Sequence, residues 1–329
     1  MDTLILTRAD VTALLPLSDC IRAVESAFRA LGEGLIEPPA TLSVHAGEGS
    51  FHVKAGVLPY QGRRYFASKA NGNFPQNPAQ RGLPTIQGLL MLSDADDGSV
   101  LAVMDSSGLT ALRTAAATAV AARHLARPDA HVAAIIGCGV QGRVQLRALA
   151  EVLPLHEAHV YDVDAERARV FASELSASLR FPVVAEQQLA PALAAADVCV
   201  TCTASTDFIV GAEMVRPGMF IAGVGVDNEQ KRELHPALLA GARIVTDLRE
   251  QCARIGDLHH AILAGLVTQE SVHADLADVV TGKQAGRQRS DEIIVFDSTG
   301  LAIQDVAAAA AVYERAVAAA TTLQHCRFA

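Results

Sequence analysis

The sequence predicts an α/β chain in two parts: a doubly wound parallel sheet over residues 118–300, and a mixed α/β domain over 1–117 that the last helix, within 301–329, completes. Three observations carry this reading. At 329 residues the chain is longer than one hydrophobic core usually serves. Half of its residues are hydrophobic, yet only 4% are aromatic and none is Trp. Its core must therefore be built of Ala, Val, Leu and Ile, which suits helices packed on a parallel sheet. From residue 131 onward, short Val- and Ile-rich runs alternate with helix-like stretches: HVAAIIG, HVYD, PVVAE, DVCVTCT, MFIAGVG and RIVTD. That alternation is the signature of consecutive βαβ units.

The elements follow in order. Ser18 is a candidate cap for a helix reading DCIRAVESAFRALGEG, with Gly32 and Gly34 as stop signals. TLSVHA, SFHVKAGVL, RYFASKAN, TIQGLLMLSD and SVLAVMD then read as strands broken by Gly, Pro and Asn turns. From Ser107, GLTALRTAAATAVAARHLA reads as an amphipathic, Ala-rich helix bridging the two parts. DEIIVFDSTG adds a last strand, and LAIQDVAAAAAVYERAVAAATTL a long helix whose small side chains permit close packing.

Charge narrows the partners. A net charge of −9 argues against nucleic acid or an anionic membrane surface and leaves a small ligand. The N-terminus, MDTLILTRADVTALL, has no basic leader, and no apolar run reaches the roughly 18 residues of a membrane span, so a soluble, cytoplasmic protein is expected. Of six cysteines only Cys199 and Cys202 form a C-x-x-C pair, and they lie in a strand-like run without a second ligand pair. Likewise His259-His260 lacks a third ligand, so no metal is expected.

The strand HVAAIIG runs into Gly137-Cys138-Gly139-Val140-Gln141-Gly142, followed by a helix from about Arg143. In this spacing the first glycine turns tightly, the second admits a pyrophosphate to the backbone, and the third lets helix meet strand. Asp162 closes the next strand, HVYD, where a carboxylate binds the two ribose hydroxyls of a dinucleotide. The loop and the acid predict a Rossmann-type domain. Asp162 would repel a 2′-phosphate and no Arg immediately follows it, so NAD(H) is expected in preference to NADP(H).

The first domain holds the candidate chemistry. From Gly49 to Ser93 there is no Asp or Glu, while Lys54, Arg63, Arg64, Lys69 and Arg81 all fall there, which suits an anionic substrate as well as a solvated basic loop. Lys69 sits in an apolar run, YFASKAN, where an ammonium is costly without a partner. Arg113, on the bridging helix, has the fork to hold a carboxylate. Periodicity alone leaves both functional and structural roles open for these two residues.

GLTALRTAAA, IIGCGVQG, DNEQKREL and FDSTGLAIQDVA together resemble the ornithine cyclodeaminase/mu-crystallin family, nearly over the whole chain. The resemblance implies an N-terminal substrate and dimerisation domain, a Rossmann domain, and a C-terminal helix that returns to the first domain. It implies Lys69 and Asp227 as catalytic residues, Arg113 as the substrate-carboxylate ligand, and Ser298, Thr299 and Gly300 near the nicotinamide. Thr114, Val140, Gln141 and Thr203 complete the expected cofactor contacts. Where the family commonly carries Arg or Lys just after a Pro pair, this chain has Ala40, and Lys54 is expected to substitute. His52 shares a strand face with Lys54 but reads as an ordinary solvated histidine. Lys231, Arg232 and Glu233 read as ordinary charges beside Asp227.

The expected activity is NAD(H)-dependent reduction of a small α-imino acid or cyclic ketimine to the L-amino acid, or its reverse, by a homodimer. Arg113 and Lys54 would hold the carboxylate while Lys69 and Asp227 supply or relay the proton. Two alternatives stand beside it. A cyclodeaminase acting on ornithine or lysine would need an acid in the first domain for the distal ammonium, and the stretch from Gly49 to Ser93 offers none. A ligand- and dinucleotide-binding protein without turnover would not need Lys69, Arg113 and Asp227 together.

Overall fold

The computed structural model describes residues 2–37, 39–319 and 323–327. It forms two compact units, Met1–Arg113 with Leu301–Ala329, and Thr114–Gly300. Sequence reading puts the boundary at 117. It falls earlier because Arg113 bonds to side chains of the returning C-terminal helix.

The first unit opens with β1 (Thr3–Leu6) and a short helix α1 (Arg8–Leu14). Thr7 and Asp10 close a capping box at its start, with the Asp10 amide donating to the Thr7 hydroxyl and the Thr7 amide to the Asp10 carboxylate at 2.8 Å. The next helix, α2 (Leu17–Gly32), corrects the expectation for Ser18. Pro16 stands at its cap, and the Pro16 carbonyl accepts from the amides of Asp19 and Cys20, so Ser18 lies inside the first turn and caps nothing. Gly34, at φ +74°, ends it: the Gly34 and Leu35 amides return to the carbonyls of Leu31 and Ala30.

Five strands follow, β2 (Ala40–Ala46), β3 (Gly49–Tyr60), β4 (Arg63–Asn73), β5 (Ile86–Asp94) and β6 (Val100–Asp105), with α3 (Asn77–Arg81) before β5. Antiparallel pairing puts Lys54 directly across from Lys69, and His52 across from Asn71. One face of this sheet carries both lysines together with the buried Leu58, Tyr65, Leu90 and Leu92. The opposite face leaves Leu42, Val44, Phe51, Val57 and Leu89 exposed.

Helix α4 (Ser106–Leu125) carries the chain out of the first unit. It is not amphipathic as expected: every residue from 114 to 122 is buried, because its alanines leave room for packing on all sides.

The second unit is a doubly wound, wholly parallel sheet with the strand order β13-β12-β14-β11-β10-β7-β8-β9. Its strands are β7 (Val132–Ile136), β8 (Glu157–Tyr161), β9 (Val183–Ala185), β10 (Val198–Thr201), β11 (Phe220–Gly223), β12 (Arg243–Thr246), β13 (Val272–Asp275) and β14 (Ile294–Asp297). Helices α5 (Val140–Ala150), α6 (Ala165–Leu179), α7 (Leu189–Ala194), α8 (Pro236–Gly241), α9 (Arg249–Ile255), α10 (Asp257–Leu263) and α11 (Leu276–Val280) connect them. Strand order reverses between β7 and β10, and ligands of such sheets bind at the carboxyl ends of strands at this switch point.

The chain then returns through α12 (Ala302–Ala318) and β15 (Gln324–Cys326). Ala320, Thr321 and Thr322, the end of the predicted helix, lie outside the described residues. The first sheet thus has seven strands, in the order β15-β1-β6-β5-β4-β3-β2. Strands β1 and β15 have no counterpart in the sequence reading, since four and three residues are too few for a period-2 pattern to show. Helix α12 packs on the lysine-bearing face, where Gly56 lies against Ala302 and Val306.

Candidate active site

In the first unit, β4, α4 and α12 bring three charged side chains together. Lys69, Arg113 and Asp305 are each at most 5% exposed. The Lys69 ammonium lies 2.8 Å from the Asp305 carboxylate and 3.3 Å from the Thr110 hydroxyl. Arg113 Nε donates to Asp305 Oδ1 at 2.8 Å and Nη1 donates to Gln304 Oε1 at 2.7 Å. Its Nη2 takes no partner among the described residues. Lys54, 9% exposed, adds a second lysine across the strand pair. Ala40 opens β2 with no side chain able to bind a carboxylate.

The charges set one another's ionisation. Burial pushes the Lys69 pKa down to about 7, with the Arg113 and Lys54 cations adding to the effect and Asp305 opposing it. For Asp305, burial works upward, but Arg113, Lys69 and Lys54 outweigh it and hold the carboxyl below its usual range. At neutral pH the cluster therefore holds a fixed anion, a fixed guanidinium and a lysine poised to gain or lose a proton.

Sequence reading missed Asp305. The acid sits within FDSTGLAIQDVA, in the first turn of a helix that is buried along most of its length, and an acid there needs a reason. The same reading paired Lys69 with Asp227. In the second unit Asp227 forms an ion pair with Lys231 at 2.9 Å and accepts from Asn228, so Lys231 is its partner and not a bystander. Nor is His52 simply solvated: its two ring nitrogens lie 3.0 and 2.8 Å from the hydroxyls of Ser43 and Ser50.

The glycine loop joins β7 to α5. Gly137, at φ +106°, makes the turn, and a Cβ there would meet the Cys202 carbonyl at 2.9 Å. A Cβ on Gly142 would strike the Gly137 carbonyl. Over Gly139 a Cβ would meet nothing within 4 Å, so the backbone there is open, and Val140 beside it is exposed. Helix α5 begins at Val140, three residues before its expected start, because an extended Gly139 already caps it. Asp162, past β8, accepts from the Cys138 and Asp164 amides at 2.8 and 2.9 Å and pairs with Arg167 at 3.1 Å. Arg167, five residues past Asp162, is thus a cation at this carboxylate although none follows it immediately in sequence. An open backbone at a helix N-terminus beside a carboxylate fits a dinucleotide.

Buried acids brace the neighbouring segments. Glu233 is fully buried, not an ordinary surface charge, and accepts from the Thr201 hydroxyl and the Thr203 and Gly225 amides. It thereby fixes Thr203 and the approach to Asp227. Asp247 accepts from the Ser298 and Thr299 hydroxyls and the Gly300 amide, while Thr114 is buried on α4. Cys199 is buried on β10, and Cys202 donates to the Ile136 and Gly137 carbonyls. His259 and His260 bond to backbone carbonyls, and no group that could hold a metal occurs among the described residues.

Asp257 and Asp297 form an acid pair, each with one buried oxygen that has no hydrogen-bond partner among the described residues. Asp257 Oδ1 accepts from the Glu233 and Leu234 amides, and Asp297 Oδ2 from the Leu258 amide. Burial pushes both pKa values up, helped at Asp257 by the charges of Asp297 and Glu233 and at Asp297 by those of Asp247 and Glu233. A raised folded pKa contributes stability that is present at low pH and is lost as pH rises through the raised value. The melting temperature is therefore expected to fall from about pH 4 to 7, by roughly 5 °C, and Asp297→Asn to flatten that fall. Thermal melts of both proteins across this range test it; parallel curves would remove the pair from the pH response.

A model of the ornithine cyclodeaminase/mu-crystallin family matches residues 1–320. The chain belongs to this family. Among its relatives, it is 39% identical to an alanine dehydrogenase of Archaeoglobus fulgidus over 96% of each chain. A solved archaeal alanine dehydrogenase dimer with bound NAD superposes with a TM-score of 0.94, at 37% identity and full coverage of both chains. The Δ1-pyrroline-2-carboxylate reductase of Thermococcus litoralis, solved with NADH and L-proline, gives a TM-score of 0.91 at 32% identity, covering 96% of this chain and 98% of that one.

Proposed function

We propose that this chain is an NAD(H)-dependent oxidoreductase that reduces a small α-imino acid or cyclic ketimine to the L-amino acid and catalyses the reverse dehydrogenation. The observation that carries this reading is Lys69, buried at 3% exposure with its pKa pushed down to about 7 beside Arg113, whose Nη2 has no partner among the described residues. A family whose members include an alanine dehydrogenase and a pyrroline-2-carboxylate reductase supports it.

Gly137, Gly139, Val140, Gln141 and Gly142 would hold the pyrophosphate and Asp162 the ribose, with Thr114, Thr203 and Ser298 as further contacts. When bound, the nicotinamide supplies the hydride to the imine carbon or takes it back. Arg113 and Lys54 bind the substrate carboxylate, and Lys69 delivers a proton to the imine nitrogen. The C=N bond thus gains a hydride at carbon and a proton at nitrogen. Asp227, tied to Lys231, is proposed to support that proton transfer.

NADH absorbance with cyclic imines of five and six atoms, and with 2-oxoacids plus ammonium, tests the reading. Oxidation of NADH with formation of an L-amino acid is expected; no oxidation with any of them would sink it. The cyclodeaminase alternative needs an acid for a distal ammonium. The first unit does supply one in Asp305, but its carboxylate already serves Lys69 and Arg113. Release of ammonia and proline from L-ornithine without net NADH change would favour that alternative. A binding role without turnover leaves the depressed pKa of Lys69 without a use.

Gly139 offers a clean test of the cofactor loop. Because a Cβ there meets no protein atom within 4 Å, Gly139→Ala is expected to keep the melting temperature. The same methyl would occupy the space of the pyrophosphate, raising KM for NADH by roughly tenfold or more. An unchanged KM would place the dinucleotide elsewhere.

The exposed face of the first sheet, with Leu42, Val44, Phe51, Val57 and Leu89, suits a second copy of the chain. A homodimer drawing on the cytoplasmic NAD(H) pool is the form we propose, and light scattering should give twice the chain mass, falling toward one chain in Leu89→Asp.

A further inference from the structure

Resting on that reading, we infer that Thr110 relays protons between solvent and Lys69, its hydroxyl reloading the lysine after each reduction and unloading it after each dehydrogenation.

The need for a relay follows from burial. Every imine reduced takes one proton from Lys69, and the next cycle requires that proton to be replaced. Lys69 is only 3% exposed, so bulk water has little direct access to its amine. Among the described residues two side chains reach the ammonium, Asp305 at 2.8 Å and Thr110 at 3.3 Å. An ammonium has three donors, which leaves the third for the substrate.

Of these two neighbours, only Thr110 can carry a proton inward. Asp305 is buried, and although burial works upward on its carboxyl, Arg113, Lys69 and Lys54 hold it below the usual range. It stays an anion at neutral pH and fixes the lysine without supplying hydrogen. Arg113 never gives up its proton in a protein. Thr110 is partly exposed, in the second turn of α4, three residues before Arg113 and on the same side of the helix. Its hydroxyl accepts from Lys69, while its own hydrogen has no acceptor among the described residues. A hydroxyl rotates freely and serves as donor and acceptor at one oxygen, so it can turn from the ammonium's acceptor into the amine's donor without moving. The 3.3 Å separation is long, but hydrogen bonds in catalytic sites often tighten only once substrate is bound.

The transfer balances. As hydride reaches the imine carbon, Lys69 gives one proton to the imine nitrogen and is left as a neutral amine. The Thr110 hydroxyl turns to that amine, its O–H bond breaks and a new N–H bond forms. In the same movement the Thr110 oxygen takes a proton from a hydronium ion or buffer acid, so no alkoxide accumulates. One solvent proton has entered the product, and Thr110 ends as it began. Dehydrogenation runs the same path outward. With the Lys69 pKa pushed down to about 7, chiefly by burial, both forms of the lysine are populated near neutrality and both directions can use the path.

NADH oxidation with cyclic imines by Thr110→Val, Thr110→Ser and Thr110→Ala tests this. Thr110→Val keeps the shape without the hydroxyl, and its kcat is expected to fall by roughly 10- to 100-fold, part of what a positioned acid contributes, with KM for NADH unchanged. Thr110→Ser should recover most of the rate. Thr110→Ala leaves room for a small acid, so its kcat should climb with imidazolium concentration at constant pH and ionic strength, while the unmodified protein ignores the buffer. A kcat that falls in Thr110→Val without recovery in Thr110→Ser or buffer dependence in Thr110→Ala marks a structural threonine and overturns the relay. An unchanged kcat in Thr110→Val overturns it too, as does a raised KM for the imine at unchanged kcat, which makes Thr110 a substrate ligand. In each of these cases the unmodified protein still oxidises NADH and the oxidoreductase reading stands. No oxidation by the unmodified protein with any imine removes that reading and the relay with it.

Discussion

Lys69→Met is expected to lower kcat for imine reduction by about a hundred- to ten-thousand-fold, the usual contribution of a positioned general acid, with a much smaller change in KM for NADH. Methionine nearly fills the volume of the lysine stem without placing a charge in a buried site, so the fold should survive. The pH profile of the unmodified protein carries the sharper signature. Reduction needs the ammonium form, so its kcat/KM should fall as pH rises through about 7; dehydrogenation needs the free amine and should rise over the same interval. These opposite limbs separate a proton-donating lysine from a merely structural one. Opposite limbs that persist in Lys69→Met would assign the proton to another group.

How much of this was legible in the sequence depends on whether the signal was local. The parallel sheet was, because each βαβ unit announces itself by an apolar run and a helix. So was the glycine loop, whose function follows from spacing within six residues. Lys69 and Arg113 stood out because charge in an apolar run or an Ala-rich helix demands a partner. The partner did not stand out. Asp305 lies 236 positions from Lys69, and only the return of α12 to the first sheet brings the two together. Glu233 was likewise invisible, since its burial depends on amides from Thr203 and Gly225 that no pattern near KREL discloses. Ser18 shows the converse error: a good capping residue was read as a cap, while Pro16, whose ring fixes φ just ahead of the helix, set the start.

Asp305→Asn is the second large effect, and it acts through Lys69. The carboxylate is the one group that favours the ammonium form of Lys69 against burial, Arg113 and Lys54. Removing its charge should drop the Lys69 pKa below 7 by roughly one unit or more. The falling limb of imine reduction then moves to lower pH, and activity at neutral pH is lost while the enzyme still responds to acidification. Asp305→Ala goes further and leaves two buried cations without a counter-charge, which should cost about 3–5 kcal/mol of stability. Part of that cost is recoverable. A lysine whose folded pKa lies below its unfolded value of about 10.4 binds fewer protons when folded, so stability rises with pH between the two values. The melting-temperature deficit of Asp305→Ala relative to the unmodified protein should accordingly narrow as pH rises from about 6 through 7, as Lys69 sheds its proton and Arg113 is left uncompensated. An unshifted limb in Asp305→Asn, or a deficit of Asp305→Ala that ignores pH, would separate Asp305 from the ionisation of Lys69.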